Sequence, residues 1–285
     1  MGEILLVVQA RLGSTRLPGK VLKAACAKPL LELMLERLAR VQTSARIVVA
    51  TTVDPLDEPI VALCQRLGVA VFRGHPTDLL DRHYQAALAF EADTIAKIPS
   101  DCPLIDAKVV DAVLARFAQG DCDYAGNLHP ASFPDGNDVE VMSMATLGTA
   151  WREAEQAMER EHTTPFIWER PERFRLANVL WETHADRMLP RDYSMTQRWT
   201  LDYPEDYEFI RRVYEELYPS KPLFGIDDVL DLLEAKPQIA AINARYAGVN
   251  WYRHHLHELK TVDERHTRLL ALEPANPLRP SLPTA

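Results

Sequence analysis

The chain has 285 residues, with 32 lysines and arginines against 41 aspartates and glutamates, so its net charge is −9. A protein this acidic is not expected to bind nucleic acid or an anionic membrane over a broad surface. Its four cysteines form no C-x-x-C pair, which argues against a zinc site and a disulfide scaffold. No apolar run is long enough to span a bilayer, and the chain starts directly into a predicted strand, which favours a cytoplasmic protein without a signal peptide.

Short apolar runs alternate with segments of helical periodicity through the first half of the chain. This rhythm predicts an α/β fold, with a mostly parallel Rossmann-like sheet and helices on both faces. The predicted strands are Ile4–Val8, Arg46–Thr51, Val69–Arg73, Thr94–Ile98, Asp138–Met142, Phe174–Val179 and Arg198–Leu201. The predicted helices are Pro29–Val41, Pro59–Leu67, Asp78–Phe90, Ala107–Phe117, Thr146–Arg160, Pro204–Tyr218 and Ile226–Ala235.

The middle and the end of the chain depart from this rhythm. Residues 129–137 are rich in Pro, Gly and Asn and predict a loop. The strands predicted after it indicate a strand-rich arm inserted at about 127–180 into a single domain of residues 1–272. Regular patterns weaken from Pro237 onward, and the proline-containing tail 273–285 is expected to be disordered because it has little apolar surface to bury.

The first predicted strand runs into a loop that carries Arg11, Arg16 and Lys20 among two glycines and two hydroxyl side chains. Cations and free backbone N–H groups on a strand-to-helix loop form a cradle for a polyphosphate. The Walker spacing is absent, because five residues separate Gly13 from Gly19, and the G-x-G-x-x-G fingerprint is absent as well. The alternative is a basic surface loop without a ligand.

Two aspartates follow predicted strands far apart in the sequence. Asp101 comes after Thr94–Ile98, and Asp202 comes after Arg198–Leu201. Because the carboxyl ends of parallel strands meet at one edge of a sheet, both can converge there with the loop 9–20. Mg²⁺ needs few protein carboxylates and keeps its other positions for water and phosphate oxygens. The alternative for Asp101 is a helix cap or turn residue. Glu205 and Asp206 fit the first turn of a helix, where acids complement the helix dipole, and we expect both to be structural.

The run R-x-G-S-T-R-L-P-G-K of residues 11–20 resembles the opening signature of the sugar-acid cytidylyltransferases, which include the 3-deoxy-manno-octulosonate and acylneuraminate enzymes. Within them the chain is most similar to the spore coat polysaccharide branch, and the resemblance spans about residues 4–206. It implies a nucleotide-diphospho-sugar transferase type of fold and transfer of CMP from CTP to a sugar acid or related anionic acceptor, with release of pyrophosphate. It also implies Mg²⁺, a role in surface polysaccharide or glycan synthesis, and a homodimer.

The resemblance assigns roles to the residues of the two motifs. Arg11, Arg16 and Lys20 would stabilise the triphosphate, and Asp101 and Asp202 would hold the metal. The main chain of Leu12, Gly13 and Ser14 would read the base, and Ser100, where relatives more often have glycine, would lie against the nucleotide.

Three further segments match the same family. Arg73-Gly74 and the residues up to Arg82 would lie near the nucleotide. Of the two arginines, Arg73 is favoured for this contact, and a surface ion pair is the alternative for Arg82.

The segment P-D-G-N-D-V-E-V would place Asp138 and Glu140 on one face of a strand, where they would bind the acceptor hydroxyls or, as the alternative, remain two solvated acids. In E-R-E-H-T-T-P, Arg160 or His162 would recognise an acceptor carboxylate, although a lone histidine is often structural. His254, His255 and His257 are expected at the surface.

One departure from the family concerns the loop after the first motif. Relatives usually carry glycine there, whereas this chain has Ala24-Ala25-Cys26-Ala27-Lys28. If the loop needs a positive φ angle, Ala27 must avoid it or accept strain.

Two other functions stay open at this point. One is a nucleotidyltransferase that uses another nucleoside triphosphate, or a phosphate or phosphonate acceptor. The other is a nucleotide-binding regulatory protein without turnover, against which the retained cluster of charged residues argues.

Overall fold

The computed structural model describes residues 2–181 and 193–269, and the predicted tail 273–285 lies outside this range. In chain order the elements are β1 (Ile4–Gln9), β2 (Ala24–Ala25), β3 (Lys28–Pro29), α1 (Leu30–Leu38), β4 (Arg46–Thr52), α2 (Glu58–Leu67), β5 (Ala70–Gly74), α3 (Leu79–Ala89), β6 (Thr94–Pro99), α4 (Ala107–Phe117), β7 (Tyr124–Gly126), β8 (Glu140–Ser143), α5 (Met144–Glu153), α6 (Ala157–His162), α7 (Pro165–Trp168), β9 (Leu176–Asn178), α8 (Pro204–Leu217), α9 (Ile226–Ala235) and α10 (Pro237–Ala240). Within the described part of the chain, no helix is both long and apolar enough to cross a membrane.

Seven strands form one sheet in the order β5-β4-β1-β6-β8-β7-β9. Neighbours β5, β4, β1 and β6 are parallel, β8 runs antiparallel to both β6 and β7, and β7 is parallel to β9. The predicted mostly parallel α/β sheet is therefore confirmed. Because β8 is reversed, its first residues lie at the edge where β1, β4 and β6 end.

Strand β1 shows why the sheet carries helices on both faces. Its apolar residues are buried, and successive side chains point to opposite faces. Leu6 and Val8 pack in a cluster with residues of α1, whereas Leu5 and Val7 pack in a second cluster with residues of α3. Burial on both faces explains the continuous apolar run from which this strand was predicted.

Two predicted elements differ from the structure. Arg198–Leu201 is not a strand of the sheet, since its pairing is an isolated bridge between Asp135 and Arg198. Trp199 and Leu201 pack in the core, and Arg198 and Thr200 are buried as well, so the alternation of apolar and polar residues arises here without a sheet that has one exposed face. The helix predicted over 146–160 is interrupted between α5 and α6, because the backbone becomes extended at Ala154 and a new helix starts after Gln156, whose N–H donates to the Glu159 carboxylate at 3.4 Å.

The region 127–180 also differs from the expected strand-rich arm. Its strands β8 and β9 belong to the main sheet, and helices α5, α6 and α7 make up much of the rest. The chain beyond α10 continues in short helical turns that bury Tyr246 and Tyr252, and Leu259 after them is buried as well. The extent of the single domain, 1–272, stays a prediction.

Strands β2 and β3 form a two-residue hairpin around Cys26 and Ala27. Both turn residues have positive φ, 48° at Cys26 and 61° at Ala27. Two successive positive φ angles are typical of a type I′ hairpin turn, which favours glycine or asparagine. Ala27 therefore carries the backbone strain that was expected if this loop needs a positive φ angle.

Replacing Ala27 by glycine is expected to stabilise the protein by about 1 kcal/mol, because an L-residue in the left-handed region carries a penalty of that size. The melting temperature should rise by about 3 °C, as measured by thermal unfolding. Ala24→Gly is the matched control, because Ala24 lies in a strand of the same hairpin and should lose stability instead. A lower melting temperature for Ala27→Gly would contradict the interpretation.

Candidate active site

Three side chains meet at the edge where the parallel strands end. The Nζ of Lys20 lies 3.2 Å from Oδ2 of Asp101 and 2.9 Å from Oδ1 of Asp202. It also donates to the main-chain oxygen of Leu201 at 2.7 Å. The structure thus brings together two carboxylates that the sequence separates by about a hundred residues, with a cation from the first loop between them.

The backbone explains how the two aspartates come together. Asp101 lies two residues after the end of β6, and its main-chain oxygen accepts hydrogen bonds from Leu201 N at 2.8 Å and Thr200 Oγ1 at 3.3 Å. The segment that ends at Asp202 is thereby tied to the end of β6. The carboxylates share an edge because of this main-chain junction.

Asp202 is held from the other side by Asp206, in the first turn of α8. One oxygen of Asp206 accepts from the backbone N–H groups of Asp202 and Tyr203, at 3.0 and 2.9 Å. The same carboxylate forms a two-bond ion pair with Arg198, with both distances 3.0 Å. The side chains of Arg198 and Asp206 are 2% and 0% exposed, so this is a buried pair.

Opposite charges keep the central groups ionised. Burial alone would raise the pKa of Asp202, but Lys20, Arg16 and Arg198 together hold it well below its usual range. Burial would lower the pKa of Lys20, yet Asp101 and Asp202 hold it above its usual value. Lys20 and Asp202 therefore both carry their charges at neutral pH.

The two arginines of the loop take different positions. Arg16 is 41% exposed and pairs with Asp202 at 2.9 Å. Arg11 contacts the main-chain oxygen of Pro76 at 3.4 Å, next to Arg82, which donates to the same oxygen. Burial, and then the charge of Arg11, lower the pKa of Arg82 to about 10. Two adjacent cations at this rim favour an anionic ligand.

Hydrogen bonds within the loop close its main chain. Leu12 O accepts from Ser14 N at 2.8 Å and from Gly19 N at 3.1 Å, with Gly19 at φ 66°. Leu12 N donates to Oδ1 of Asp57 at 2.7 Å. Recognition of the base by the main chain of Leu12, Gly13 and Ser14 stays a prediction. If the base uses the N–H of Leu12 or Ser14, or the main-chain oxygen of Leu12, the loop must first break the hydrogen bond that this group makes here.

Asp57 is a positioning residue that the sequence analysis missed. It is 2% exposed, and its second oxygen accepts from Thr52 Oγ1, so it links the end of β4 to the loop after β1. Its position in the sequence could have identified it. Like Asp101, Asp57 is an aspartate between a buried strand and a helix at the carboxyl edge of the sheet.

Arg73 and Ser100 also support this edge. Arg73 pairs with Glu58 at 2.7 Å and donates to main-chain oxygens of the loop after β4, so it braces the segment that carries Asp57. Ser100 is buried, and its N–H donates to Gln9 O at 3.1 Å, which ties the ends of β6 and β1 together. Direct contact of either residue with a nucleotide stays a prediction.

Asp138 and Glu140 lie in different surroundings. Asp138 is partly buried at the entry to β8, where burial and then the charge of Asp101 raise its pKa to about 7. Glu140 is 2% exposed, forms an ion pair with Lys97 on the adjacent strand and accepts from Tyr124 Oη at 2.8 Å. The alternative of two solvated acids is therefore wrong for Glu140.

Arg160 and His162 make tertiary contacts near this region. Arg160 pairs with Asp78 at 2.6 Å and so ties α6 to the start of α3. His162 stacks on Trp251 with ring centroids 3.8 Å apart, and burial, with Lys97 and His255 as lesser causes, lowers its pKa to about 3. Their contact with an acceptor stays a prediction.

The late histidines do not form a metal centre in the described part of the chain, which contains no cluster of three or more His, Cys, Asp or Glu side chains suited to a metal ion. His255 instead contacts Glu258 at 2.8 Å. His257 is 78% exposed, as expected for a surface histidine.

The fold and the residues at this edge fit a phosphorylated ligand. Cations on the loop after β1 lie beside two converging aspartates at the edge of a mostly parallel sheet where ligands of such sheets usually bind. Residues 5–223 match the model of the cytidylyltransferase family, and the chain belongs to that family. It is accordingly a CTP-dependent nucleotidyltransferase.

Two relatives and one solved structure cover most of the chain. An uncharacterized protein of Methanocaldococcus jannaschii is 34% identical over 246 residues, which are 85% of this chain and 95% of that protein. The spore coat polysaccharide biosynthesis protein SpsF of Bacillus subtilis is 31% identical over 246 residues, 84% of this chain and 98% of that protein. The structure of a cytidylyltransferase from Leptospira borgpetersenii serovar Hardjo-bovis matches with a TM-score of 0.76 and 30% identity, over 84% of this chain and 96% of that one. The predicted similarity to the spore coat branch is confirmed.

Removing the Asp57 carboxylate is expected to weaken nucleotide binding. In Asp57→Ala the partly buried Leu12 N–H and the buried Thr52 hydroxyl lose their acceptor, which costs about 1–3 kcal/mol and loosens the loop. The KM for CTP should rise about tenfold with a smaller change in kcat, as measured by steady-state kinetics. Asp54→Ala, at an exposed cap of the same loop, is the control and should leave KM unchanged. Equal KM values for both variants would contradict this role of Asp57.

Proposed function

We propose that this protein transfers CMP from CTP to a nucleophilic oxygen of a sugar acid or related anionic acceptor and releases pyrophosphate. The observation that carries the proposal is the meeting of Lys20 with Asp101 and Asp202 at the sheet edge that also bears Arg11 and Arg16. Cations for a triphosphate and acids for a divalent metal lie there side by side. Nucleotidyl transfer needs both.

The donor atoms at this edge fit Mg²⁺. Two carboxylates and the Leu201 main-chain oxygen surround one ammonium group within 3.2 Å, and hard oxygen donors of this kind are the ligands that Mg²⁺ prefers. Asp101 and Asp202 would hold the ion, which would polarise the α-phosphate and neutralise its charge. Arg198 and Asp206 keep Asp202 in place by the contacts described above.

The reaction itself asks for positioning and charge stabilisation. The acceptor oxygen forms a bond to the α-phosphorus, the bond from that phosphorus to the bridging oxygen breaks, and pyrophosphate leaves with the electron pair while the acceptor proton passes to water. Arg11, Arg16 and Lys20 would bind the triphosphate and stabilise the charge that grows on the departing pyrophosphate.

The acceptor would lie on the β8 side of the aspartates. Asp138 is partly exposed there, and the aromatic pair of His162 and Trp251 belongs to the same region as the Lys97–Glu140 pair. On the family resemblance, the hydroxyl groups of the acceptor would face Asp138, and its carboxylate would bind Arg160 or His162. The name of the Bacillus subtilis relative supports a role in polysaccharide synthesis. We extend the proposal to a homodimer, on the resemblance alone, and to a cytoplasmic location, as the sequence analysis expected.

The experiment is a measurement of pyrophosphate release with Mg²⁺, using CTP, UTP, ATP and GTP against a panel of sugar acids and sugar phosphates. Release with CTP and a sugar acid is the expected result. Release with another triphosphate, or with a sugar phosphate in place of an acid, would replace the proposed substrates. If no combination releases pyrophosphate and no nucleotide shifts the melting temperature, the result would favour a protein without turnover.

A further inference from the structure

We propose that Lys20 and the metal ion are alternative occupants of the Asp101–Asp202 pair, and that the triphosphate moves Lys20 off the pair, so that nucleotide and metal bind cooperatively. This inference rests on the proposed function, because it takes the triphosphate to lie along the loop 9–20. It adds a conformational role for Lys20 to its charge.

The contacts of Lys20 are those of a cation that fills a site. An ammonium group has three protons to donate, and three oxygens accept them: Oδ2 of Asp101 at 3.2 Å, Oδ1 of Asp202 at 2.9 Å and the main-chain oxygen of Leu201 at 2.7 Å. The Lys20 side chain is 13% exposed, so the group is largely withdrawn from water. Its hydrogen-bonding capacity is satisfied in this position.

A metal ion cannot share this position with the ammonium group. Mg²⁺ lies about 2.1 Å from carboxylate oxygens, so an ion bound to both aspartates would stand within a few ångströms of Nζ. Two cations at that separation in a poorly hydrated site repel strongly. Metal binding through both carboxylates therefore requires Lys20 to leave.

The loop offers Lys20 a second anionic partner. Lys20 begins a short helical turn directly after Gly19, on the same loop that carries Arg11 and Arg16. Its flexible four-carbon stem allows the ammonium group to move while the turn stays in place. A triphosphate on this loop supplies oxygens that replace those of the aspartates. Because nucleotide and metal both favour the same displaced position of Lys20, each must strengthen binding of the other.

The first test measures binding of Mn²⁺ alone, by electron paramagnetic resonance titration of the free ion without nucleotide. Lys20→Met should bind Mn²⁺ at least about tenfold more tightly than the unaltered protein, since the two carboxylates lose their resident cation. Lys28→Met is the matched control, because it also frees a carboxylate, Glu36, from a lysine pair but away from this edge. Equal or weaker Mn²⁺ binding by Lys20→Met would overturn the proposal.

Folding of the variant is controlled by its melting temperature with and without Mg²⁺. Lys20→Met should melt lower than the unaltered protein and regain stability with Mg²⁺, because the ion relieves the repulsion between Asp101 and Asp202. Lys20→Gln serves the same purpose if the methionine variant does not fold. Insensitivity of a folded variant to Mg²⁺ would count against the proposal.

A second measurement follows the movement itself by nuclear magnetic resonance of the lysine side-chain ammonium groups, with the Lys20 signal assigned from its loss in Lys20→Met. CTP added in the presence of EDTA should shift this signal. Binding of CTP without a shift would overturn the proposed movement and leave the proposed function standing. If CTP neither binds nor raises the melting temperature, that result would contradict the proposed function, whatever the Mn²⁺ titration shows.

Discussion

Replacing Asp101 by alanine is expected to lower Mg²⁺-dependent pyrophosphate release by about 10³-fold or more, because one of the two carboxylates that would hold the metal is lost. The fold should survive. The main-chain oxygen of Asp101, not its carboxylate, accepts the hydrogen bonds from Leu201 N and Thr200 Oγ1, and alanine keeps that oxygen. Initial rates with saturating CTP, together with thermal unfolding, measure both parts of the expectation.

The matched control for this variant is Asp121→Ala. Asp121 is a surface acid that pairs with Arg116 and has a 61% exposed side chain, so its removal should change neither rate nor stability by a measurable amount. Unchanged turnover in Asp101→Ala would remove Asp101 from the metal site. Loss of turnover in both variants would point to a general effect of removing negative charge.

Replacing Asp206 by alanine is expected to reduce the free energy of unfolding by about 3–5 kcal/mol, the usual effect of removing one partner of a buried ion pair. Arg198 would keep its positive charge at 2% exposure, and the N–H groups of Asp202 and Tyr203 would lose their acceptor. The melting temperature should fall by about 10 °C. Because Asp202 is then free to move, turnover should drop as well, even at temperatures where the variant stays folded.

Glu205→Ala tests whether position on the helix explains this result. Glu205 is the preceding acid in the first turn of α8, and its partner Arg245 is 65% exposed. Exposed pairs contribute about 0–1 kcal/mol, so urea unfolding should show a small change for Glu205→Ala and a large one for Asp206→Ala. Similar losses for the two variants would mean that charge in the first turn, and not the buried pair with Arg198, stabilises the protein.

For Asp206, the local sequence predicts a structural role but neither its partners nor the size of its contribution to stability. Its place in the first turn of a helix correctly indicated a structural role, since that inference depends on neighbours in the chain. Its partners Arg198 and Asn243 come from two other segments, and nothing in the local pattern names them. The size of its contribution therefore needed the tertiary structure.

Glu140 illustrates the same limit at a candidate binding residue. Alternation correctly placed it in a strand, but its exposure depends on the strand beside it. Glu140 stands opposite Lys97 in the register of β8 with β6, and that pairing turns a candidate surface acid into half of a buried ion pair. Register between distant strands is decided by packing of the whole sheet.

The sequence by itself determined the order of strands and helices through the parallel half of the sheet, the loop of cations after β1 and the family. These follow from hydrophobic periodicity and from a long ordered motif, both of which are local properties of the chain. The tertiary structure alone decided which charges meet. Lys20 contacts acids 81 and 182 positions away, and Asp57 holds a loop 45 positions before it. Such contacts arise because strands distant in the chain end at one edge of a sheet, and a side chain there is positioned by its neighbours in space.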